Sequence, residues 1–406
     1  MMEVLCVSNG HGEDQVAVRI ALELLDLGVQ VTALPMVGLG AAYLKAEIPI
    51  LSGGVKAMPS GGFVRMDATQ LARDLKGGLL KLTWRQLQLV SFWSKQKSKS
   101  QRLILAVGDL VPLLLAWLPT WTGGCDFCFV ATAKTEYYWR DRQGRLPGVK
   151  APWGGSMFFP WERWLVTQPK CRETFVRDRL TADWLNQKFR LGVKYFGNPM
   201  MDGLEPAALN LNISDQDWII SLIPGSRPPE AYHNLDLLLQ AADILARHLP
   251  QSVHFLAAIA PELELEQITP LLQQKGWTSQ AEQTFRHGNA RLYLSSEFGT
   301  CLHLCHLGVA MAGTATEQLV GLGKPAIAIA GSGPQFTKQF ALDQARLLGI
   351  SIKLIDKPSQ IGQVIDQILQ DPDYFQIVLE NGRERMGQPG ASRSIAKSIV
   401  QLGASF

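Results

Sequence analysis

The sequence predicts an α/β protein of two domains, each built on a parallel sheet, and three observations carry that reading. Short apolar or β-branched runs alternate with longer helical patterns along the whole chain, the sign of parallel βαβ units. The 406 residues exceed the size at which a single core keeps growing, so two domains of roughly 200 residues each are expected. Near the middle, Gly197, Pro199, Gly203 and Pro206, followed by the polar stretch 210–217, break the periodicity and mark a linker.

In the first half, strands are expected at 3–8, 29–34, 102–107, 127–131, 164–167 and 194–196. The helix after the first strand, 14–27, carries Val16, Ile20, Leu24 and Leu27 on one face. The second half restarts with a strand at 218–223 and continues with strands at 253–258, 290–294, 307–310, 326–330 and 352–355. Helices are expected at 234–248, 263–275, 314–322, 337–348, 359–370 and 374–386. A last helix, 391–402, follows Gly387, Gln388, Pro389 and Gly390 and is expected to cross back to the first domain. The boundaries are then 1–198, a linker at 199–216, 217–388, and a returning helix at 389–406.

The apolar fraction of 47% and charged fraction of 18% describe a folded, soluble protein. A net charge of +3 is too small to point to nucleic acid as a partner. The six cysteines are scattered, which suits reduced thiols in a cytoplasmic compartment. Cys125 and Cys128 have metal-like spacing, but they sit in an apolar run with no second Cys/His pair, so they read as core residues and no metal site is expected. The chain opens directly on an apolar strand rather than a signal-peptide layout. Its longest apolar stretch, 110–118, contains Pro112 and is about half the ~20 residues a membrane span needs.

Two strand-to-helix turns in the second half have the chemistry of an anion site. The strand 218–223 ends in Pro224, Gly225, Ser226 and Arg227: a glycine there lets backbone amides approach an anion, and the hydroxyl and guanidinium suit a diphosphate. The strand 307–310 leads to Gly313, Thr314, Ala315 and Thr316, the start of a helix whose first amides are unpaired. Glu317 stands three residues after Thr314, which fits a capping box and also fits a carboxylate that accepts ribose hydroxyls.

Three segments, Ile223 to Glu230 (IPGSRPPE), Ala312 to Ile327 (AGTATEQLVGLGKPAI) and Phe196 to Leu204 (FGNPMMDGL), resemble the corresponding segments of lipid-A-disaccharide synthase. The Gly/Thr/Glu helix is also similar to that of the GlcNAc-transferase of peptidoglycan precursor synthesis, and the chain resembles lipid-A-disaccharide synthase-related proteins of the kind found in cyanobacteria and plants. The resemblance implies a GT-B fold, two Rossmann-like domains facing each other across a cleft. It also implies a UDP-linked amino sugar as donor substrate with no separate cofactor, a lipid-linked acceptor, and inversion at the anomeric carbon without an essential metal. Carried onto this chain, Gly225, Ser226 and Arg227 would contact the diphosphate, Gly313, Thr314 and Ala315 would present helix-start amides, and Glu317 would hold the ribose. Lys338 and Gln339, at the next helix start, are candidates for the donor sugar, against a reading as a solvated helix start.

On the acceptor side, Gly10 and Gly12 flank His11 at the carboxyl edge of the first strand, where open α/β sheets bind ligands. His11 is placed to act as general base or to orient an acceptor hydroxyl, with Glu13 and Asp14 either beside it or simply stabilising the first helical turn. The resembled family is acidic where this turn has His11. Asp109 is the second catalytic candidate, the family having an Asp there, and it is equally a good N-cap. Residues 73–102 interleave Lys and Arg with Leu, Phe and Trp, which suits an anionic membrane surface at the cytoplasmic face, against a helix packed on its own sheet with a solvated basic end. The aromatic residues Tyr137, Tyr138, Trp139, Trp153, Phe158, Phe159, Trp161 and Trp164 lie in a Gly/Pro-rich segment that reads as an acyl-chain groove or as buried loop packing. The expected activity is an inverting hexosyl transfer from a UDP-sugar to a lipid acceptor. The alternatives are a UDP-GlcNAc 2-epimerase-like enzyme and a non-catalytic nucleotide- or lipid-binding regulator.

Overall fold

A computed structural model describes residues 2–55, 78–96, 101–207, 213–214, 216–331, 333 and 336–404. The chain divides into two compact units: Met1–Asp202 together with Pro389–Phe406, and Gly203–Gln388.

The first unit runs β1 (Met2–Ser8), α1 (His11–Asp26), β2 (Gln30–Pro35), α2 (Ala41–Lys45), α3 (Leu79–Lys95), β3 (Gln101–Gly108), α4 (Leu110–Trp117), β4 (Asp126–Ala131), α5 (Pro160–Val166), β5 (Cys171–Val176) and α6 (Arg179–Phe189). Its five strands are all parallel, in the order β2-β1-β3-β4-β5. Both faces are covered, so the strands are apolar at successive positions rather than alternating. Val4, Cys6, Leu103 and Leu105 pack with Val16, Ile20 and Leu24 on one face. Leu5, Val7, Ile104 and Ala106 pack with Leu113 and Phe129 on the other.

Two expected strands of this half are absent as such. Residues 164–167 fall at the end of α5, because Pro160 opens a helix there and the Glu162 carboxylate turns back to accept the Phe159 amide at 2.7 Å. The strand is β5, whose polar start Arg172 and Glu173 hides it from a search for apolar runs; as an edge strand it tolerates that start. Of 194–196, only Lys194 pairs, as a single bridge to Phe175. Pro199–Met201 form a buried 3-10 turn of the first unit, with the Arg19 guanidinium donating to the carbonyls of Pro199 at 3.0 Å and Met200 at 2.9 Å.

The second unit runs β6 (Trp218–Ile223), α7 (Glu230–His248), β7 (Val253–Ala258), α8 (Leu265–Gln274), β8 (Thr278–Ala281), β9 (Thr284–His287), β10 (Ala290–Ser295), α9 (Phe298–Leu304), β11 (Leu307–Ala310), α10 (Thr314–Gly321), β12 (Ala326–Ile329), α11 (Lys338–Leu348), β13 (Ile352–Ile355), α12 (Ile361–Gln370) and α13 (Tyr374–Met386). The sheet order is β13-β12-β11-β6-β7-β10-β9-β8, parallel except for the hairpin β8–β9 added at one edge. That hairpin escapes the sequence because Thr278–Ala281 is wholly exposed and carries no apolar pattern. α9, a single short helix before β11, is likewise unforeseen. The final helix, α14 (Ala391–Ala404), packs in the first unit, where Ile395, Ala396 and Ile399 join the core around Val16 and Ile20.

Candidate functional site

In the second unit the carboxyl ends of β6 and β11 lie side by side, with Ala310 paired to Ile223 and the Met311 amide donating to the Ile223 carbonyl at 2.8 Å. Gly225 takes φ 92°, a left-handed conformation that costs glycine little, and a β-carbon there would sit 3.4 Å from the Met311 carbonyl. Ser226 is exposed and Arg227 half-buried. The two turns that carry the sequence-derived anion site are therefore neighbours.

After β11, Gly313 is the N-cap of α10 and Thr314 its first helical residue. The expected capping box does not form, because the cap position is a glycine with no side chain to close it. Glu317 is buried within the first turns, Thr314 is exposed and Ala315 half-buried. A β-carbon on Gly313 would press to 3.2 Å from the Phe340 ring, so space as well as amide exposure favours glycine there. The Thr316 hydroxyl donates to the Ala312 carbonyl at 2.6 Å.

Three buried polar side chains that sequence reasoning missed hold these turns and the connection beside them. Asn234, one turn into α7, donates from Nδ2 to the carbonyls of Pro224 at 3.0 Å and Met311 at 3.3 Å. Gln344 of α11 donates from Nε2 to the carbonyls of Ala312 at 3.2 Å and Gly313 at 2.9 Å. Glu230, on the same face of α7 as Asn234, accepts the Phe336 amide at 2.7 Å and so holds the connection from β12 to α11. The available signal was Asn234 standing among Ala231, Leu235 and Leu238, a polar residue in the buried stripe of its helix. Lys338 and Gln339 are exposed at the start of α11, pairing with Asp356 at 2.6 Å and Asp343 at 3.2 Å.

In the first unit, Gly10 (φ 122°) is the N-cap of α1, and His11 is the first helical residue rather than part of an extended turn. A β-carbon on Gly10 would lie 3.0 Å from the Val37 carbonyl. Gly12 is exposed and Glu13 half-buried, both in the first turn. Asp14 is buried instead: it accepts the Ser8 hydroxyl at 2.5 Å, and Ser8 meets the Tyr43 hydroxyl at 2.7 Å. Burial pushes the Asp14 carboxyl up to about 6, against the lowering effect of its hydrogen bonds. Asp109 follows β3 as the N-cap of α4 and accepts the Val111 amide at 2.9 Å. The buried Asn9 side chain lies against Gly108, where a β-carbon would come within 2.9 Å of it. β1 and β3 are paired neighbours, so the His11 turn and Asp109 share one sheet edge.

The aromatic segment divides. Tyr137, Trp139 and Phe158 are interior, around a buried Glu136 that accepts from Ser156, Trp139 and Met157 and whose carboxyl is raised by burial. Trp153, Trp161 and Trp164 are exposed. On α3, Leu80 (71% exposed), Trp84 (63%) and Phe92 (67%) face solvent beside Lys81, Arg85 and Lys95, while Leu82, Gln86, Val90 and Trp93 face inward. Arg73, Lys76, Lys97 and Lys99 of the basic stretch lie outside the described residues. No described helix is long and apolar enough to cross a membrane. Cys128 is buried and Cys125 half-buried, and burial pushes the Cys125 thiol up to about 12, as expected of core residues.

No protein-family profile matches the chain. In sequence it is similar to curated lipid-A-disaccharide synthases. That of Trichlorobacter lovleyi is 26% identical over 233 residues, which cover 52% of this chain and 57% of the relative. That of Persephonella marina is 26% identical over 248 residues, covering 55% and 62%. The chain thus spans less than two thirds of the relatives it matches. In fold it is similar to CalG4, the calicheamicin glycosyltransferase (14% identity, TM-score 0.62, covering 99% of this chain and 98% of that one). It is also similar to the Neisseria meningitidis UDP-GlcNAc 2-epimerase bound to UDP-GlcNAc (14%, 0.57, 98% and 100%). A third likeness is to Acinetobacter baumannii MurG (14%, 0.56, 99% and 100%). The chain therefore has the GT-B fold, two Rossmann-like domains, and is related in sequence to lipid-A-disaccharide synthases.

Proposed function

We propose that the protein is an inverting, metal-independent glycosyltransferase that moves a sugar of the GlcNAc type, acylated or not, from a UDP-sugar to a lipid-linked acceptor. The observation that carries this reading is the adjacency of the turns after β6 and β11, with Gly225 in one and the start of α10 in the other. An anion of diphosphate size suits such a place, because the helix dipole and unpaired amides both favour negative charge. Ser226, Arg227, Gly313, Thr314 and Ala315 would hold the diphosphate, Glu317 the ribose, and Lys338 and Gln339 the sugar.

The acceptor hydroxyl attacks the anomeric carbon directly, and the bond to UDP breaks on the opposite face. His11 or Asp109 takes the acceptor proton. The Arg227 guanidinium and the start of α10 stabilise the charge that grows on departing UDP. Glu13, Asp14 and the glycines around His11 shape the acceptor side. The outward Leu80, Trp84 and Phe92 of α3, with Lys81, Arg85 and Lys95, would rest the protein on an anionic membrane at its cytoplasmic face, where a lipid acceptor resides.

The test is UDP release from a panel of UDP-sugars in the presence of total membrane lipid, with the product identified by mass. Release with one sugar and a lipid product of matching mass is expected. Tight UDP binding with no release under any combination would leave a binding protein, not a transferase. The fold likeness to the 2-epimerases favours a second reading, and conversion of UDP-GlcNAc to its 2-epimer without acceptor would establish it.

A further inference from the structure

The carbonyls after β6 and β11 are held in place by side chains from three helices, α7, α10 and α11, the Thr316 hydroxyl sharing the Ala312 carbonyl with Gln344. Asn234 ties Pro224 and Met311 with a single amide group, and Gln344 ties Ala312 and Gly313 with another. Both side chains are buried, and Oε1 of Gln344 has no partner among the described residues, so that residue is kept at a cost in stability.

In a trans peptide the C=O of one residue and the N–H of the next point in opposite directions. Drawing the Pro224 carbonyl towards Asn234 therefore turns the Gly225 amide the other way. Drawing the carbonyls of Ala312 and Gly313 towards Gln344 does the same for the amides of Gly313 and Thr314. Among the described residues, no group accepts from the amides of Gly225, Gly313 or Thr314.

We infer that Asn234 and Gln344 are positioning residues for a nucleoside diphosphate: they pull carbonyl oxygens away from the anion and fix the amides towards it. The inference rests on the donor-site reading above. Such fixed dipoles bind an anion without having to reorganise first, and a free carbonyl at the same place would repel it.

The experiment compares UDP affinity by calorimetry in the full chain and in the near-isosteric Asn234→Leu and Gln344→Met. Asn381→Leu is the control, since Asn381 ties the Leu348 carbonyl and the Ser351 hydroxyl, both at 2.7 Å, with the same chemistry in α13. All three variants should lose thermal stability. Only the first two should lose UDP affinity, by about tenfold to a hundredfold, the consequence of one mis-set turn. Wild-type affinity in folded Asn234→Leu and Gln344→Met would overturn the inference and leave the donor site standing. Failure of the unmodified protein to bind UDP, ADP, GDP or dTDP would sink the donor-site reading itself, and this one with it.

Discussion

The Asp109 carboxylate accepts the Val111 amide at 2.9 Å, so the side chain offered as a catalytic base is also the cap of α4. Asparagine caps a helix as well as aspartate but cannot take a proton. Asp109→Asn should keep the melting temperature while turnover falls by about 10²- to 10⁴-fold if the carboxylate is the base. Unchanged turnover in that variant would make Asp109 a cap alone and leave His11 as the base.

Asp14 sets a pH dependence. Its carboxyl is raised from an ordinary value of 3.8 to about 6. A raised acid favours the fold while it is protonated, so its contribution is complete below about 4 and is lost as pH climbs through about 6, some 3 kcal/mol in order of magnitude. Asp14→Asn should flatten that part of the stability profile and make the variant more stable than the parent at pH 7. Denaturant melts between pH 4 and 8 read the difference; parallel profiles for the two proteins would rule it out.

Glu317 and His11 should separate binding from chemistry. Glu317→Ala should weaken UDP binding by about tenfold, the worth of a buried hydrogen bond to charge. His11→Ala should lower turnover and leave UDP affinity unchanged. The reverse pattern would contradict both assignments.

The outward face of α3 makes a separate claim. Trp84→Glu with Phe92→Glu should abolish binding to vesicles containing anionic lipid, and Lys81→Gln with Arg85→Gln should weaken it by about 1 kcal/mol per charge and blunt its salt dependence. Both pairs stand on an exposed surface, so the melting temperature should hold. Equal binding to neutral and anionic vesicles by the parent would refute the electrostatic half.

The central strands were legible because burial on both faces makes them near-continuous apolar runs, as in β1 and β3. The phosphate-side turns were legible because glycine after a strand has a backbone reason to be there. What escaped lacks a local signature. β5 carries Arg172 and Glu173 in its first half, and β8 has no buried side chain. Asn234 and Gln344 act on carbonyls 10 and 32 positions away in the chain, a separation no periodicity records. Asp14 reads from sequence as a neighbour of His11 or a first-turn acid, since nothing there tells that Ser8 and Tyr43 close over it.

The return of α14 to the first unit has a consequence for the order of events at the ribosome. Ile395, Ala396 and Ile399 fill the core beside Val16, Ile20 and Leu24, yet they are made after all of 203–388. The second unit, continuous in the chain, has its whole sequence in hand first. Throughout that interval the nascent first unit lacks the cover that α14 gives to part of α1, so the half synthesised earliest is the half that is completed last.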